Sequence, residues 1–454
     1  MLETLTNSLT PIRTPASKLA KISDRLGVAG LYLFAFFSLL SIAGANLGLG
    51  LMIIALALSA DAWRRLPRQP LFWLCLLIIG YIALRTVWST GEIAAAQKTQ
   101  INQARDWALL FVFFIPAWWL SQSPNRITVV LTLMFSGFCL GIIGALDGET
   151  LARIQQGARS GLHFGKPIIF GFDCAAAILA LMTLAAYWLN PQLDHTRSTR
   201  TIRVGLTVVA MLFFTQGLII SQSRGVWLSI LFALPVVFLT LNFGRPAHRR
   251  TTHQLRTPFI AILAVIAVIA VILSLNWHTV SQRISIERQA LGIVVTEGLE
   301  KAPLGSSTYR LHLWRFGLQK WLERPLLGWG PGTTHTLVEA KNDIALQDPP
   351  GSSFDHLHNA YLEAVFQLGL IGFVLIALIC GLIFSMVMEN YRRKRLSVYF
   401  LAFLLSNFVL IAVYSLTDFR HLHWNWRFYW LIIAAVAYAF ALSEHRPSIT
   451  RSAR

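Results

Sequence analysis

The stretch HNAYLEAVFQLGLIGFVLIALICGLIFSMVM, residues 358–388, decides the fold. Beyond Glu363 it carries no charged residue. A helix crosses the hydrocarbon of a bilayer with roughly 20 apolar residues, so 360–387 reads as a transmembrane helix. The head of this span is polar. His356 and His358 stand directly before it, and Asn359 and Glu363 follow within its first turns. Ionisable groups at a membrane boundary are costly and point to function.

The rest of the chain repeats the apolar theme. Of 454 residues 55% are hydrophobic and only 13% charged, and mean hydropathy is +0.57. That balance excludes an ordinary soluble domain. Twelve spans are expected, near 28–43, 46–60, 71–88, 107–120, 127–146, 168–189, 204–220, 226–243, 258–276, 360–387, 397–416 and 425–443. The first two share the loop at Gly44–Asn46. With the N-terminus inside, nearly all of the formal net charge of +18 falls on the cytoplasmic segments, as the positive-inside rule requires. Topology and anionic lipid account for the basic balance, so no nucleic-acid partner is expected.

Cys75, Cys139, Cys174 and Cys380 all lie in expected spans, with no CxxC and no histidine at ligand spacing. They read as small core residues, without disulfide or metal site. No cleavable site follows the basic N-terminus, so no removed signal peptide is expected. Trp118, Trp119 and the cluster HWNWRFYW (423–430) read as interfacial aromatic belts.

One segment breaks the rhythm. Residues 277–358 form a long loop on the outer side, too patterned for a connector. The chain thus divides into 1–276, nine spans with short loops; 277–358, the loop domain; and 359–454, three spans and a cytoplasmic tail. In RLHLWRFGLQKWLERPLLGWG (310–330), Leu311, Leu313, Trp314, Phe316, Leu318, Trp321 and Leu322 alternate with basic residues. This predicts an amphipathic helix on the outer leaflet, closed by Pro325.

Three arginines share that outer side. Arg224 sits in SQSRG (221–225), the turn that must interrupt an apolar run too long for one crossing. Arg159 lies in GARSGLHFGKP (157–167), beside His163 and Lys166. Arg310 heads the amphipathic helix. Guanidinium stays charged and binds phosphate oxygens in pairs, while imidazole exchanges a proton near neutral pH. Arginines and histidines at one membrane edge suit a lipid-borne phosphate or pyrophosphate. There is no DxD pair, Walker A loop, GxSxG elbow or HExxH. A reaction here is expected to use no metal, cofactor or ATP, and so needs a donor that arrives activated. Asp173, inside the sixth span, is expected to point inward.

The order of these pieces resembles the O-antigen ligase and polymerase superfamily of bacterial inner membranes. The matching pieces are Arg159, Ser223–Arg224–Gly225, the stretch YRLHLWRFGLQKW…PLLGWGPG from Tyr309, and HNAYLEAVFQLGLIG from His358 to Gly372, with SIAGANLGLGL (41–51) looking like the ligase branch. The resemblance implies an all-α polytopic, GT-C-like fold with a large periplasmic loop. It implies a metal-independent, inverting glycosyltransferase that moves O-antigen glycan from undecaprenyl pyrophosphate to lipid A–core on the periplasmic face, with both termini cytoplasmic. Arg159 and Arg224 would hold the pyrophosphate, and His358 would act as base toward the acceptor or position it. Arg310 and His356 would be secondary contacts, with Asn359 and Glu363 a supporting shell. An O-antigen polymerase or a protein oligosaccharyltransferase would use the same donor and similar residues. A transporter fits less well: its polar groups should gather at the bilayer midplane, and here they gather at the outer edge.

Overall fold

The computed structural model describes residues 18–93, 97–188, 197–244, 274, 277–341, 343–348 and 352–443. Its helices in chain order are α1 (Lys18–Phe37), α2 (Ile42–Ala57), α3 (Ala60–Arg65), α4 (Pro70–Glu92), α5 (Gln97–Leu109), α6 (Phe114–Ser121), α7 (Pro124–Gly144), α8 (Gly148–Gln155), α9 (Pro167–Trp188), α10 (Arg197–Ile220), α11 (Arg224–Phe243), α12 (Trp277–Glu297), α13 (Ser306–Glu323), α14 (Thr334–Lys341), α15 (Ala360–Arg392), α16 (Val398–Thr417) and α17 (Trp424–Ser443). A two-residue antiparallel pair, β1 (Gln347–Asp348) with β2 (Ser352–Ser353), is the only strand structure among the described residues. Local chemistry marks many helix starts. Pro70 and Pro124 supply the fixed φ of a first turn. The Ser41 and Ser397 hydroxyls cap α2 and α16 by accepting from Gly44 N and Phe400 N.

Among the described residues eight helices are long and apolar enough to cross a membrane: α4, α7, α9, α10, α11, α15, α16 and α17. The pair Ile42–Ala57 and Ala60–Arg68, bent by 71°, makes a ninth candidate. The protein is therefore an all-helical polytopic membrane protein. Fewer than the twelve expected spans are found among the described residues. α1 opens with Lys18, Lys21, Asp24 and Arg25, and its apolar part is short. The run expected to cross at 107–120 is split between the end of α5 and the eight-residue α6, every residue of which is buried in protein. A run of that length is a core helix rather than a span. The expected span at 258–276 falls almost wholly outside the described residues.

The centre of the bundle is α17, flanked by α6, α15 and α16. Its 18-residue apolar window is 89% buried inside the protein. This corrects the reading of aromatic belts. Trp118, Trp119, Trp426, Phe428 and Tyr429 are core residues, because the helices that carry them are surrounded by others. Cys380 departs the other way and lies exposed on α15.

The segment expected as a loop domain shares a second, smaller core with the start of α15, made of Leu313, Phe316, Val338, Leu346, Leu357 and Phe366. The predicted amphipathic helix is α13. Its inner face seals this core against α15 rather than lying on lipid, and only Leu318 and Leu322 of its apolar set stay exposed. α15 itself is broken in its N-terminal third. Gly369 adopts φ 66, ψ −176, a conformation closed to other residues. The backbone groups released by the break pair with 325–330: Trp329 N donates to Phe366 O at 2.8 Å, Gly330 N to Gln367 O at 2.8 Å, and Leu370 N to Pro325 O at 2.9 Å. A Cβ on Gly369 would lie 2.2 Å from Leu326 O. Irregular backbone at this depth survives because protein satisfies it.

Candidate functional site at one end of the bundle

The turn SQSRG joins α10 to α11. Gln222 takes a left-handed φ of 46°, and its side-chain amide donates to Gly157 O at 2.9 Å. Ser160 N donates to Ile220 O at 3.3 Å, and Arg159 Nε to Ser221 O at 2.8 Å. Loop 157–160 is therefore stitched to the turn that carries Arg224. Arg224 is the first residue of α11. Ser223 occupies the cap position, but its hydroxyl makes no capping bond and is buried without a protein partner. The first N–H groups of a helix attract anions. The turn abuts two other helices closely: a Cβ on Gly171 of α9 would meet Ser221 Oγ at 2.4 Å, and one on Gly225 would meet Thr417 Oγ1 at 2.3 Å.

Thr417 ends α16, and Asp418 follows. This places Ser223–Arg224 beside the second half of the site, the loop 353–359. Leu357, fully buried in the loop-domain core, anchors that loop. Trp314 Nε1 donates to Leu357 O at 3.0 Å. With Leu357 fixed, the flanking imidazoles meet at a centroid distance of 4.2 Å, and His358 is held at φ 52. That backbone is rare outside glycine and persists only when its surroundings enforce it.

Glu363 does the enforcing. Its carboxylate is fully buried. It accepts from Leu357 N at 2.7 Å, Thr334 Oγ1 at 2.5 Å and Gln367 Nε2 at 2.6 Å. Its hydrogen-bonding capacity is used by the protein, which makes it a positioning group. Asn359 Oδ1 caps α15 by accepting from Tyr361 N and Leu362 N, both at 3.0 Å. Both residues therefore build the loop.

His358 Nδ1 lies 3.1 Å from Asp418 Oδ1. Asp418 is completely buried. Burial by itself would raise its pKa, but the His358 hydrogen bond and the Arg420 charge override it and hold the acid well below its ordinary range. An ionised carboxylate only accepts, so His358 Nδ1 carries a proton, and in the neutral imidazole the lone pair is then on Nε2. His356 Nδ1 accepts from His358 N at 3.3 Å, which leaves its proton on Nε2. Burial, then the neighbouring His358 and Arg420, push the His356 pKa well down, so it stays neutral. Burial pushes His421 down to about 3. Arg310, half-buried on α13, lies within electrostatic reach of Tyr414, one turn before Asp418. Arg159, the turn carrying Arg224, His358 and His356 thus come to one end of the bundle through a series of contacts, and Arg310 lies within electrostatic range of it. Asp173 is buried on α9 and neither carboxylate oxygen has a hydrogen-bond partner, so it pairs with none of the arginines.

His356, His358 and Asp418 also offer ligand atoms within 4.8 Å of one another, a trio that histidine spacing in sequence did not reveal because its acid comes from 60 residues away. Its surroundings are cationic: Arg420 Nε is 3.6 Å from Asp418 Oδ2, and Lys166 acts on His356 as well. Positive neighbours oppose a divalent cation, and a hydrogen-bonded His–Asp pair suits them better.

Sequence reasoning missed Asp418 and Arg420, hidden just ahead of an aromatic cluster read as a belt. It also missed Arg85. An arginine inside an apolar run is a signal. Arg85 is buried on α4, and Nε and Nη2 donate to Leu327 O and Gly328 O, each at 2.9 Å. It clamps the loop that completes the break in α15. Replacing Arg85 with alanine should strand both carbonyls and lower stability by about 2–4 kcal/mol. Thermal unfolding of detergent-solubilised protein would show it, and an unchanged midpoint would refute the clamp.

Fold and site together define a polytopic all-helical membrane protein with a cationic, histidine-bearing site where its spans end. Residues 206–377 match the family described as "O-Antigen ligase". The match covers well under half of the chain and is consistent with the O-antigen ligase and polymerase superfamily. It takes in the SRG turn, the loop domain and the HN motif, while Arg159, Lys166, Asp418 and Arg420 lie beyond it. No curated protein matches the chain.

Proposed function

We propose that the protein transfers O-antigen glycan from undecaprenyl pyrophosphate to lipid A–core oligosaccharide, as a metal-independent, inverting ligase. The observation that carries the reading is the His358–Asp418 pair standing beside the Arg159–Arg224 turn. Asp418 fixes the imidazole so that Nε2 takes the proton of the acceptor hydroxyl. The acceptor oxygen bonds to the sugar anomeric carbon as the bond from that carbon to the pyrophosphate oxygen breaks. The bonding pair leaves on the pyrophosphate, whose charge Arg159, Arg224 and the α11 N-terminus stabilise. Arg310 and His356 contact phosphate or acceptor.

The positive-inside pattern supports a bacterial inner-membrane location with the site periplasmic and both termini cytoplasmic. We keep a GT-C-like arrangement of about twelve spans, with 277–358 as a loop domain between two membrane blocks, as part of this proposal.

Reconstitution with defined lipid-linked glycan and separate acceptors tests it. Lipid A–core should gain the glycan mass. Gain on the growing glycan would indicate a polymerase, and gain on protein an oligosaccharyltransferase. Chelation by EDTA should leave the rate unchanged; inhibition reversed by added divalent metal would instead assign His356, His358 and Asp418 as ligands.

A further inference from the structure

Charge beside the His358–Asp418 pair does not balance. Arg420 lies 3.6 Å from Asp418 Oδ2, and its Nε has no hydrogen-bond partner. Asp418 meanwhile accepts from both His358 and Phe419 N through its other oxygen. Lys166, directly before α9, is exposed and makes no ion pair among the described residues. Lys166 and Arg420 come from separate segments, yet each acts on both His356 and His423. Both cations therefore lie within electrostatic range of the same imidazoles, and Arg420 is fixed there by its 3.6 Å approach to Asp418. Burial keeps those two imidazoles neutral, so they add no charge. The one carboxylate here, Asp418, is shared between His358 and Arg420, which leaves no acid for Lys166, and Arg310 near Tyr414 adds further positive charge. His356, whose Nδ1 accepts a backbone N–H, keeps Nε2–H as a donor. A part-buried guanidinium with an unused N–H, an ammonium and a neutral donor together form an anion cradle.

We propose that Lys166 and Arg420, with His356, bind a phosphate group alongside His358, in addition to the Arg159–Arg224 turn. Phosphate ester chemistry is available from two sources, the lipid pyrophosphate of the donor or a phosphate on the acceptor sugar. Only that source rests on the functional reading above.

The test uses the full chain in nanodiscs. A lysine-reactive reagent should label Lys166, and inorganic pyrophosphate should protect it. In binding titrations with a prenyl pyrophosphate, Lys166→Gln and Arg420→Gln should each weaken affinity about tenfold, with Arg420→Lys recovering part of the loss. If instead prenyl pyrophosphate binds normally and the KM for phosphorylated acceptor rises about tenfold, while phosphatase-treated acceptor is unaffected, the phosphate belongs to the acceptor. Either result supports the cradle. Equal Lys166 labelling with and without pyrophosphate, or wild-type binding and KM in Lys166→Gln, overturns it. The labelling arm uses unaltered protein, so it decides even where Arg420→Gln fails to fold. Protection in a protein that transfers no glycan would retain the cradle and reject the ligase reading; transfer without protection would do the reverse.

Discussion

His358→Ala should lower single-turnover glycan transfer by about 10²–10⁴-fold, the usual worth of a positioned general base. The imidazole is the one group at the site whose lone pair is directed by a buried, ionised acid. Donor binding should survive, because Arg159 is anchored to Ser221 O and Arg224 to the α11 helix, independently of the histidine loop. Leu357 should keep the loop in place through its core packing and its bond to Glu363. Gel analysis of lipid-linked donor and glycosylated acceptor would measure transfer, and a separate titration would measure donor affinity. Transfer within a few-fold of wild type would remove His358 from catalysis, and loss of donor binding alone would give it a different part.

Asp418→Asn should cost roughly 10²-fold in kcat with little change in donor affinity. The carboxylate serves three neighbours at once: His358 Nδ1, Phe419 N and the Arg420 guanidinium. A carboxamide has one oxygen, so it must turn an N–H toward either the imidazole or Arg420. Turned toward His358, it demands the other tautomer and removes the lone pair from Nε2. Turned toward Arg420, it leaves a cation unmatched. The same residue predicts an acid limb in stability. Because the folded state holds the Asp418 pKa below its ordinary value, near 4, its ionisation stabilises the fold above that pH. The contribution fades as pH falls toward the folded pKa. Unfolding midpoints followed downward from pH 5 should therefore converge for wild type and Asp418→Asn. A constant gap, or equal kcat in the two proteins, would sink this account.

Much of the site was legible because short motifs carry their own local physics. SQSRG had to be a turn, since the run around it is too long for one crossing. HNAYLE had to be a helix entry, and Asn359 does cap it. The roles of Asn359 and Glu363 were harder to see. Glu363 supports the site by binding Leu357 N and Thr334, and nothing in its own neighbourhood announces a threonine 29 residues upstream. Asp418 and Arg85 were missed for the same reason, since their partners lie 60 and more than 240 residues away; Arg420 went with Asp418, the acid beside it in sequence.

The amino-acid order alone determined that this chain is helical and membrane-spanning, because hydrocarbon admits long apolar helices and rejects unpaired backbone. It also determined that cationic and imidazole groups gather at the ends of those spans. Only the tertiary structure decided that α6 and α17 are core rather than lipid-facing. Only it decided that α15 breaks at Gly369 to receive the 325–330 loop, and that the acid orienting His358 comes from the end of α16. Hydropathy is a property of each segment, whereas burial and hydrogen-bond partnership depend on which segments pack together.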